Sequence, residues 1–221
     1  MSNRTWLVAS DIHGSDELWK SIYQEAKNNP IITSIILCGD LTNNGKRSGL
    51  LPGIGETYGE FLIAKEYIKK LAGIKPVYWI PGNHDWDIEE LDFDFENVAC
   101  IDRKYLKIDG KSVYGINQSP CFEAPALAIE WRNMSTDPAV DAKAYDFKHV
   151  EVVISHCPPE GVLDNLGSMH IGSPALSEYI LTKRPQYVFS GHVHDQGGKI
   201  ECFAGATIAN VAATFGVFDV K

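Results

Sequence analysis

Short apolar runs, each bounded by residues that favour turns, recur along the chain and predict β-strands. The five clearest runs are Trp6–Ala9, Ile32–Cys38, Pro76–Ile80, Glu151–Ser155 and Gln186–Ser190. Apolar residues at helical spacing lie between several of these runs and predict three helices. The helices are expected over Asp16–Lys27, Tyr58–Leu71 and Pro174–Thr182. Alternating strands and helices are typical of parallel βαβ units, so the pattern predicts an α/β fold.

The middle and the end of the chain carry the pattern of antiparallel strands. Asp109-Gly110 separates two alternating runs and predicts a β-hairpin. The last stretch, Lys199–Val220, is expected to form consecutive short strands with a turn at Ala204-Gly205. An α/β first half with these antiparallel additions predicts two sheets packed together, with helices outside them.

Two long loops are expected, at Leu41–Thr57 and Gln118–Ala139. Loops of this length inside a compact domain are usually functional or mobile, so both are candidates for covering a substrate. Lys46 and Arg132 lie in these loops and could either contact a substrate anion or serve the loop itself.

Composition limits the kind of protein. With 221 residues, 44% of them hydrophobic, the chain is expected to form one domain over residues 1–221. No apolar run approaches the roughly 20 residues of a membrane span, and the N-terminus has no signal-peptide pattern. The five cysteines are scattered and form no CxxC pair, which fits a reducing compartment. We therefore expect a cytoplasmic protein without a membrane partner.

The formal net charge of −9 argues against a polyanion such as duplex DNA as the main partner. Nucleic acid is therefore not expected to bind. A small phosphate ligand stays compatible with the acidic balance, because bound divalent cations reverse the local sign of charge.

Residues able to carry chemistry follow the predicted strands. The five strand ends read Ser10-Asp11-Ile12-His13, Gly39-Asp40, Gly82-Asn83-His84-Asp85, His156 and Gly191-His192-Val193-His194. Each motif alone is compatible with an ordinary turn, but together they hold five of the seven histidines. The carboxyl ends of parallel strands form the ligand-binding edge of an open α/β sheet, so these side chains are expected to converge. Imidazole, carboxylate and carboxamide donors suit Mn, Fe or Zn.

The ordered series D-x-H, G-D, G-N-H-[D/E], H and G-H-x-H resembles the calcineurin-like metallophosphoesterases and runs from Asp11 to His194. The resemblance implies a four-layer αββα sandwich of two mixed β-sheets with two divalent metal ions at its edge. It assigns one ion to Asp11, His13 and His194, the other ion to Asn83, His156 and His192, and a bridging role to Asp40. It also implies that His84 approaches the substrate phosphate and the leaving oxygen, with Asp85 placed to orient it.

The second motif departs from the protein phosphatases of this superfamily. Many of them continue as G-D-x-x-D-R, whereas Asp40 is followed here by Leu41-Thr42-Asn43-Asn44, without the arginine. The motif is closer to the class III cyclic-nucleotide phosphodiesterases of bacteria. The segment from His156 to Asp164 is in turn similar to H-x-P-P-x-G-x-L-D of the small metallophosphoesterase-domain proteins.

The resemblance implies hydrolysis of a phosphodiester in a small nucleotide-like substrate, by a hydroxide that bridges two ions. Mn, Fe or both are the expected metals, with Zn as a further option. A phosphomonoesterase, a nucleotide-pyrophosphate hydrolase and a non-catalytic scaffold with the same fold stay as alternatives. The oligomeric state is left open.

Overall fold

Two mixed β-sheets lie face to face in the computed structural model, which describes residues 4–46, 57–121 and 132–221. Across the first sheet the order is β15 (Thr214–Asp219), β1 (Thr5–Ser10), β2 (Ile32–Leu37), β3 (Val77–Trp79) and β4 (Val98–Cys100). Across the second sheet the order is β13 (Lys199–Phe203), β14 (Ala206–Asn210), β12 (Tyr187–Ser190), β9 (Val152–Ser155), β6 (Lys111–Ile116) and β5 (Tyr105–Ile108). In each sheet the inner strands pair in parallel. The edge strands β15, β13 and β5 pair antiparallel, whereas the edge strand β4 pairs in parallel with β3.

The remaining elements surround the two sheets. The helices are α1 (Asp16–Asn28), α2 (Thr57–Ala72), α3 (Pro138–Ala144) and α4 (Pro174–Lys183), with short 3₁₀ helices at Glu90–Phe93 and His194–Gln196. Two small ladders pair β7 (Ser119–Pro120) with β8 (Met134–Ser135), and β10 (Asn165–Leu166) with β11 (Met169–His170). None of the helices in the described ranges has both the length and the apolar character needed to cross a bilayer.

Three apolar clusters show the layer order. Strand β1 is buried on both faces, so its neighbouring residues serve different layers. Trp6 contributes to the cluster between the sheets, where its ring lies 6.3 Å from that of Phe189. Leu7 contributes to the cluster that also holds Trp19 of α1. On the far side, Leu176 of α4 packs against the second sheet. The layers are therefore helix, sheet, sheet, helix, which confirms the predicted αββα sandwich.

The five predicted strands and three predicted helices are present, and no end shifts by more than one residue. Ser15 begins α1, since its hydroxyl accepts a hydrogen bond from the Leu18 amide at 3.2 Å. Both predicted turns are also confirmed. Asp109 and Gly110 have φ values of 49° and 84°, the left-handed pair that a tight hairpin requires.

The loop prediction needs a correction. The segment Gln118–Ala139 contains β7, β8 and the start of α3, so it is less irregular than its composition indicated. Parts of this segment and of Leu41–Thr57, including Arg47 and Trp131, lie outside the described residues.

Candidate metal centre

Asp11, His13 and His194 form a first group of donors at the carboxyl end of β1 and the loop after β12. His194 Nε2 lies 3.2 Å from both His13 Nε2 and Asp11 Oδ1. The His13 nitrogen is 3.8 Å from the same carboxylate oxygen. These three donor atoms therefore face one point.

Asn83, His156 and His192 form a second group. Asn83 Oδ1 lies 2.9 Å from His156 Nε2 and 2.9 Å from His192 Nδ1. The other ring nitrogen of His156 lies 2.8 Å from the carbonyl of Cys38, so the backbone of the β2 end holds this ring in place.

The Asp40 carboxylate lies between the two groups. Its Oδ2 is 3.3 Å from His156 Nε2 and 3.8 Å from His13 Nε2. Asp11 also comes close to the second group, because donor atoms of Asp11, Asp40 and His156 all lie within 4.8 Å of one another. The predicted metal-binding residues therefore converge, and two buried carboxylates border both groups.

The donor set fits divalent metal ions. Two donor atoms held about 2.1 Å from one ion lie about 3 to 3.4 Å apart. The separations of 3.2 Å in the first group and 3.3 Å between Asp40 and His156 fall in this range. The 2.9 Å separations around Asn83 lie just below it, and the 3.8 Å separations of His13 from Asp11 and Asp40 lie above it. Nitrogen and hard oxygen donors with no thiolate among them are the ligands of Mn, Fe and Zn.

Four of these residues have a backbone that side chains rarely adopt. The φ values are 53° for Asp11, 48° for His13, 52° for Asp40 and 69° for His192. Such strain persists only where surrounding contacts impose it, and it clusters at functional sites. Here the contacts join two strand ends, since the Asp11 amide donates to the Gly39 carbonyl at 2.9 Å.

Two glycines allow the strand ends to approach each other. A Cβ at Gly82 would collide with the carboxylate and amide of Asp40. A Cβ at Gly191 would collide with the carboxylate of Asp11. The loops can therefore place their donors around one point only if these positions lack a side chain.

Burial and neighbouring charges give the titratable groups of the site different protonation states. Burial opposes charge on Asp11, but the imidazoles of His13 and His194 beside it hold the pKa of its carboxyl well below the usual range. Burial also disfavours the charged form of His156, yet the Asp40 carboxylate raises the pKa of this imidazole to about 10.

The pKa of His192 shifts in the opposite direction. Burial and then the charge of His156 lower its pKa to about 4. Without metal, the carboxylates are therefore anionic, His156 is a cation and His192 is neutral at neutral pH.

His84 lies beside the first donor group without belonging to it. Its ring meets that of His13 edge-on with centroids 4.8 Å apart. Its main-chain amide donates to Asp40 Oδ1 at 2.7 Å, and its Nδ1 lies 2.8 Å from the Asn43 carbonyl. This geometry directs Nδ1–H to Asn43, so proton transfer to a substrate would use Nε2.

Asp85, the residue expected to orient His84, has a carboxylate that faces the backbone of two loops. Its buried carboxylate accepts hydrogen bonds from the amides of Leu41, Thr42 and Gly82, and from the Thr42 hydroxyl, at 2.9–3.2 Å. Burial and the charge of Asp40 raise the pKa of Asp85. Asp85 therefore ties the loops after β2 and β3 together, and the loop after β2 carries the Asn43 carbonyl that lies 2.8 Å from His84 Nδ1.

Sequence reasoning missed Asn43 and Glu60. The Glu60 carboxylate of α2 accepts from the Asn43 amide at 2.9 Å and from its side-chain Nδ2 at 2.8 Å. Asn43 Nδ2 also donates to the His13 carbonyl at 2.9 Å. Only the run of polar residues after Asp40 marked this position, and nothing in the sequence connects it to a helix 17 residues away.

Two basic side chains of the long loops bind protein groups. Lys46 Nζ lies 2.7 Å from the Asp92 carboxylate. The Arg132 guanidinium donates to the carbonyls of Asp85 and Ile88 at 2.8 and 2.6 Å. Arg132 thus stabilises the backbone between Asp85 and Ile88, which follows the end of β3.

An open cavity of about 390 Å³ gives access to both donor groups. It is lined by His13, Asp40, Asn43, Asn83, His84, His192 and His194. Within the described residues, this lining contains no lysine or arginine. The cavity is large enough for a phosphoryl group with a small substituent.

The calcineurin-like phosphoesterase family matches residues 5–196 of the chain. The chain therefore belongs to this family of phosphoesterases, whose members use divalent metal ions. The UPF0046 protein K07C11.7 of Caenorhabditis elegans is a curated relative, 28% identical over 187 residues. That match covers 74% of this chain and 57% of the relative, so the chain spans less than two thirds of the relative's length.

Solved structures share the fold. TT1561 of Thermus thermophilus has a TM-score of 0.60 at 15% identity, over 99% of this chain and all of that one. The phosphopantetheinyl hydrolase (PptH) from Mycobacterium tuberculosis has a TM-score of 0.59 at 15% identity, over 96% of this chain and 90% of that one.

Proposed function

We propose that the protein is a dinuclear-metal-dependent hydrolase that cleaves a phosphodiester bond of a small, nucleotide-like substrate. The observation that carries the proposal is the convergence of two donor groups on one cavity, with Asp40 between them. We expect Mn, Fe or both, with Zn as the alternative, since the donors are imidazoles, carboxylates and an amide.

When bound, two such ions would lower the pKa of a water molecule toward neutrality and neutralise charge on the phosphate. The residues of the chain then have separate tasks. Asp11 and Asp40 supply the negative charge that retains two cations, and their low pKa values keep them ionised. His84, held at Nδ1 by the Asn43 carbonyl, would supply a proton to the leaving oxygen through Nε2.

The lining of the cavity supports a diester over a monoester. A phosphomonoester carries close to two negative charges at neutral pH and gains from an additional cationic side chain, most often arginine. The described lining has none, and Arg132 is occupied by two carbonyl groups. A phosphodiester carries a single charge, which the metal ions alone can balance.

The substrate class can be tested with two chromogenic esters. The protein, freed of metal and reloaded with Mn²⁺, should hydrolyse bis-p-nitrophenyl phosphate with a higher kcat/KM than p-nitrophenyl phosphate. The metal-free protein is the matched control and should be inactive on both esters. A preference for the monoester would overturn the diester proposal, and inactivity of the Mn²⁺-loaded protein on both esters would support a non-catalytic scaffold.

A further inference from the structure

We propose that two copies of this chain associate through strand β13, with the copies related by a two-fold axis at Ile200. The strand lies at the edge of the second sheet and pairs with β14 on one side. All of its residues from Lys199 to Cys202 are exposed, and Ile200 is 58% exposed. The peptide groups along an exposed strand edge can form hydrogen bonds with a strand of another chain.

The neighbouring ladder fixes which peptide groups of β13 point outward. The Thr207 amide donates to the Gln186 carbonyl at 2.9 Å, and the Val211 amide donates to the Ser190 carbonyl at 2.8 Å. The peptide groups of the odd-numbered residues of β14 therefore point toward β12. The peptide groups of the even-numbered residues, including Ile208 opposite Glu201, therefore point toward β13. Within β13, the peptide groups of Ile200 and Cys202 consequently point away from the sheet.

This alternation allows a symmetric antiparallel pair centred on Ile200, and the charges of the neighbouring residues favour that register. Ile200 would lie opposite Ile200 of the partner subunit as a hydrogen-bonded pair, and each copy would both donate and accept. In that register Lys199 lies opposite the partner's Glu201, and Glu201 lies opposite the partner's Lys199. Opposite charges at directly facing positions stabilise antiparallel strands. A shift that centres the pair on Glu201 would instead place two carboxylates face to face.

The side chains divide between the two faces of the extended sheet. Phe203 packs on the cluster under α4, so Lys199 and Glu201 share that outer face with it. Ile200 points the other way, into a groove of about 170 Å³ that it shares with Phe215, Val217 and Phe218, among others. Val217 is itself 38% exposed. A two-fold axis at Ile200 would bring both grooves together and bury these apolar residues against each other.

Sedimentation velocity of the full chain between about 1 and 100 μM tests the proposal. The wild type should sediment as a dimer that dissociates on dilution. Glu201→Lys and Lys199→Glu should each raise the dimer Kd by about tenfold or more, because symmetry makes each reversal act twice. The swapped double variant Lys199→Glu/Glu201→Lys should regain the wild-type Kd, and Glu178→Lys on the exposed face of α4 should leave it unchanged.

Lys199 Nζ donates within its own chain to the Asp195 carbonyl and to Gln196 Oε1, both at 2.9 Å. The fold of each variant is therefore verified by an unchanged circular dichroism spectrum, because loss of the dimer would itself lower the melting temperature. A wild type that stays monomeric at every concentration would overturn the proposal. So would single reversals that keep the wild-type Kd, or a double variant that does not recover it.

Discussion

At the scale of single residues, the site separates the groups that hold metal from the group that moves a proton. Asp40 touches both donor groups, whereas His84 touches Asp40 only through its main-chain amide. The His84 side chain can therefore be changed without removing a donor atom.

The substitution His84→Gln tests this separation. We expect metal content to be unchanged and kcat to fall by about 10²–10⁴-fold, because the leaving oxygen loses its proton donor. Metal analysis and steady-state kinetics on the diester substrate measure the two effects. Loss of metal in this variant would mean that His84 is a ligand and that its assigned role is wrong.

At the scale of elements, the strands are the part of the fold that the sequence predicts best. β1 and β2 are mostly apolar because both of their faces are covered, so a local pattern is enough to locate them. The two-residue strands β10 and β11 are exposed and held by pairing with each other, so no apolar pattern marks them. The ends of β1, β2 and β3 approach one another at glycines. The sequence shows these glycines, but it does not show which residues lie beside them.

The close approach of the β2 and β3 ends predicts that Gly82→Ala damages the site. The added methyl group would press on the Asp40 carboxylate, so we expect metal affinity to fall at least about tenfold. Gly59→Ala is the matched control, because a Cβ at that position in α2 would have no atom of the described residues within 4 Å. The control should gain up to about 1 kcal/mol in stability and keep its metal affinity. Equal metal affinity of both variants in a Mn²⁺ titration would contradict the steric account.

At the scale of the whole molecule, the fold brings together side chains that are up to 183 residues apart along the chain, as for Asp11 and His194. The order of the motifs predicts this convergence, since parallel strands share one ligand-binding edge. The sequence does not predict contacts made by backbone carbonyls, such as Asn43 with His84 or Cys38 with His156. Any residue type can supply a carbonyl, so such partners carry no signature.

The charge distribution of the metal-free molecule predicts a pH-dependent stability. The raised pKa of His156, about 10 against about 6.5 in the unfolded chain, stabilises the fold below about pH 6.5, and this stabilisation is lost as pH rises through 10. The lowered pKa of His192 acts in the opposite direction, so its contribution is lost as pH falls from about 6.5 toward 4. Thermal unfolding of the metal-free protein should therefore show greatest stability near pH 6.5, and a steady rise from pH 6.5 to 10 would contradict this.

The same pKa values predict that metal uptake releases a proton. A ligand imidazole must be neutral, and His156 is protonated without metal up to about pH 10, whereas His192 is already neutral. Between about pH 7 and 9 we expect at least one proton to be released, because His156 must lose its proton and the pKa of the ligand His13 is also raised. Calorimetry of Mn²⁺ binding in two buffers with different ionisation enthalpies measures this number, and identical heats in both buffers would exclude it.

The most direct test of the central claim is the number of metal ions bound per chain, measured by elemental analysis after loading with Mn²⁺ and removal of free metal. We predict two ions for the wild type and for Asp146→Ala, which removes an exposed carboxylate. Asp40→Ala should lose metal and phosphodiesterase activity together, because this carboxylate borders both donor groups. A wild type that binds no metal, or an Asp40→Ala variant that keeps two ions and full activity, would contradict the account.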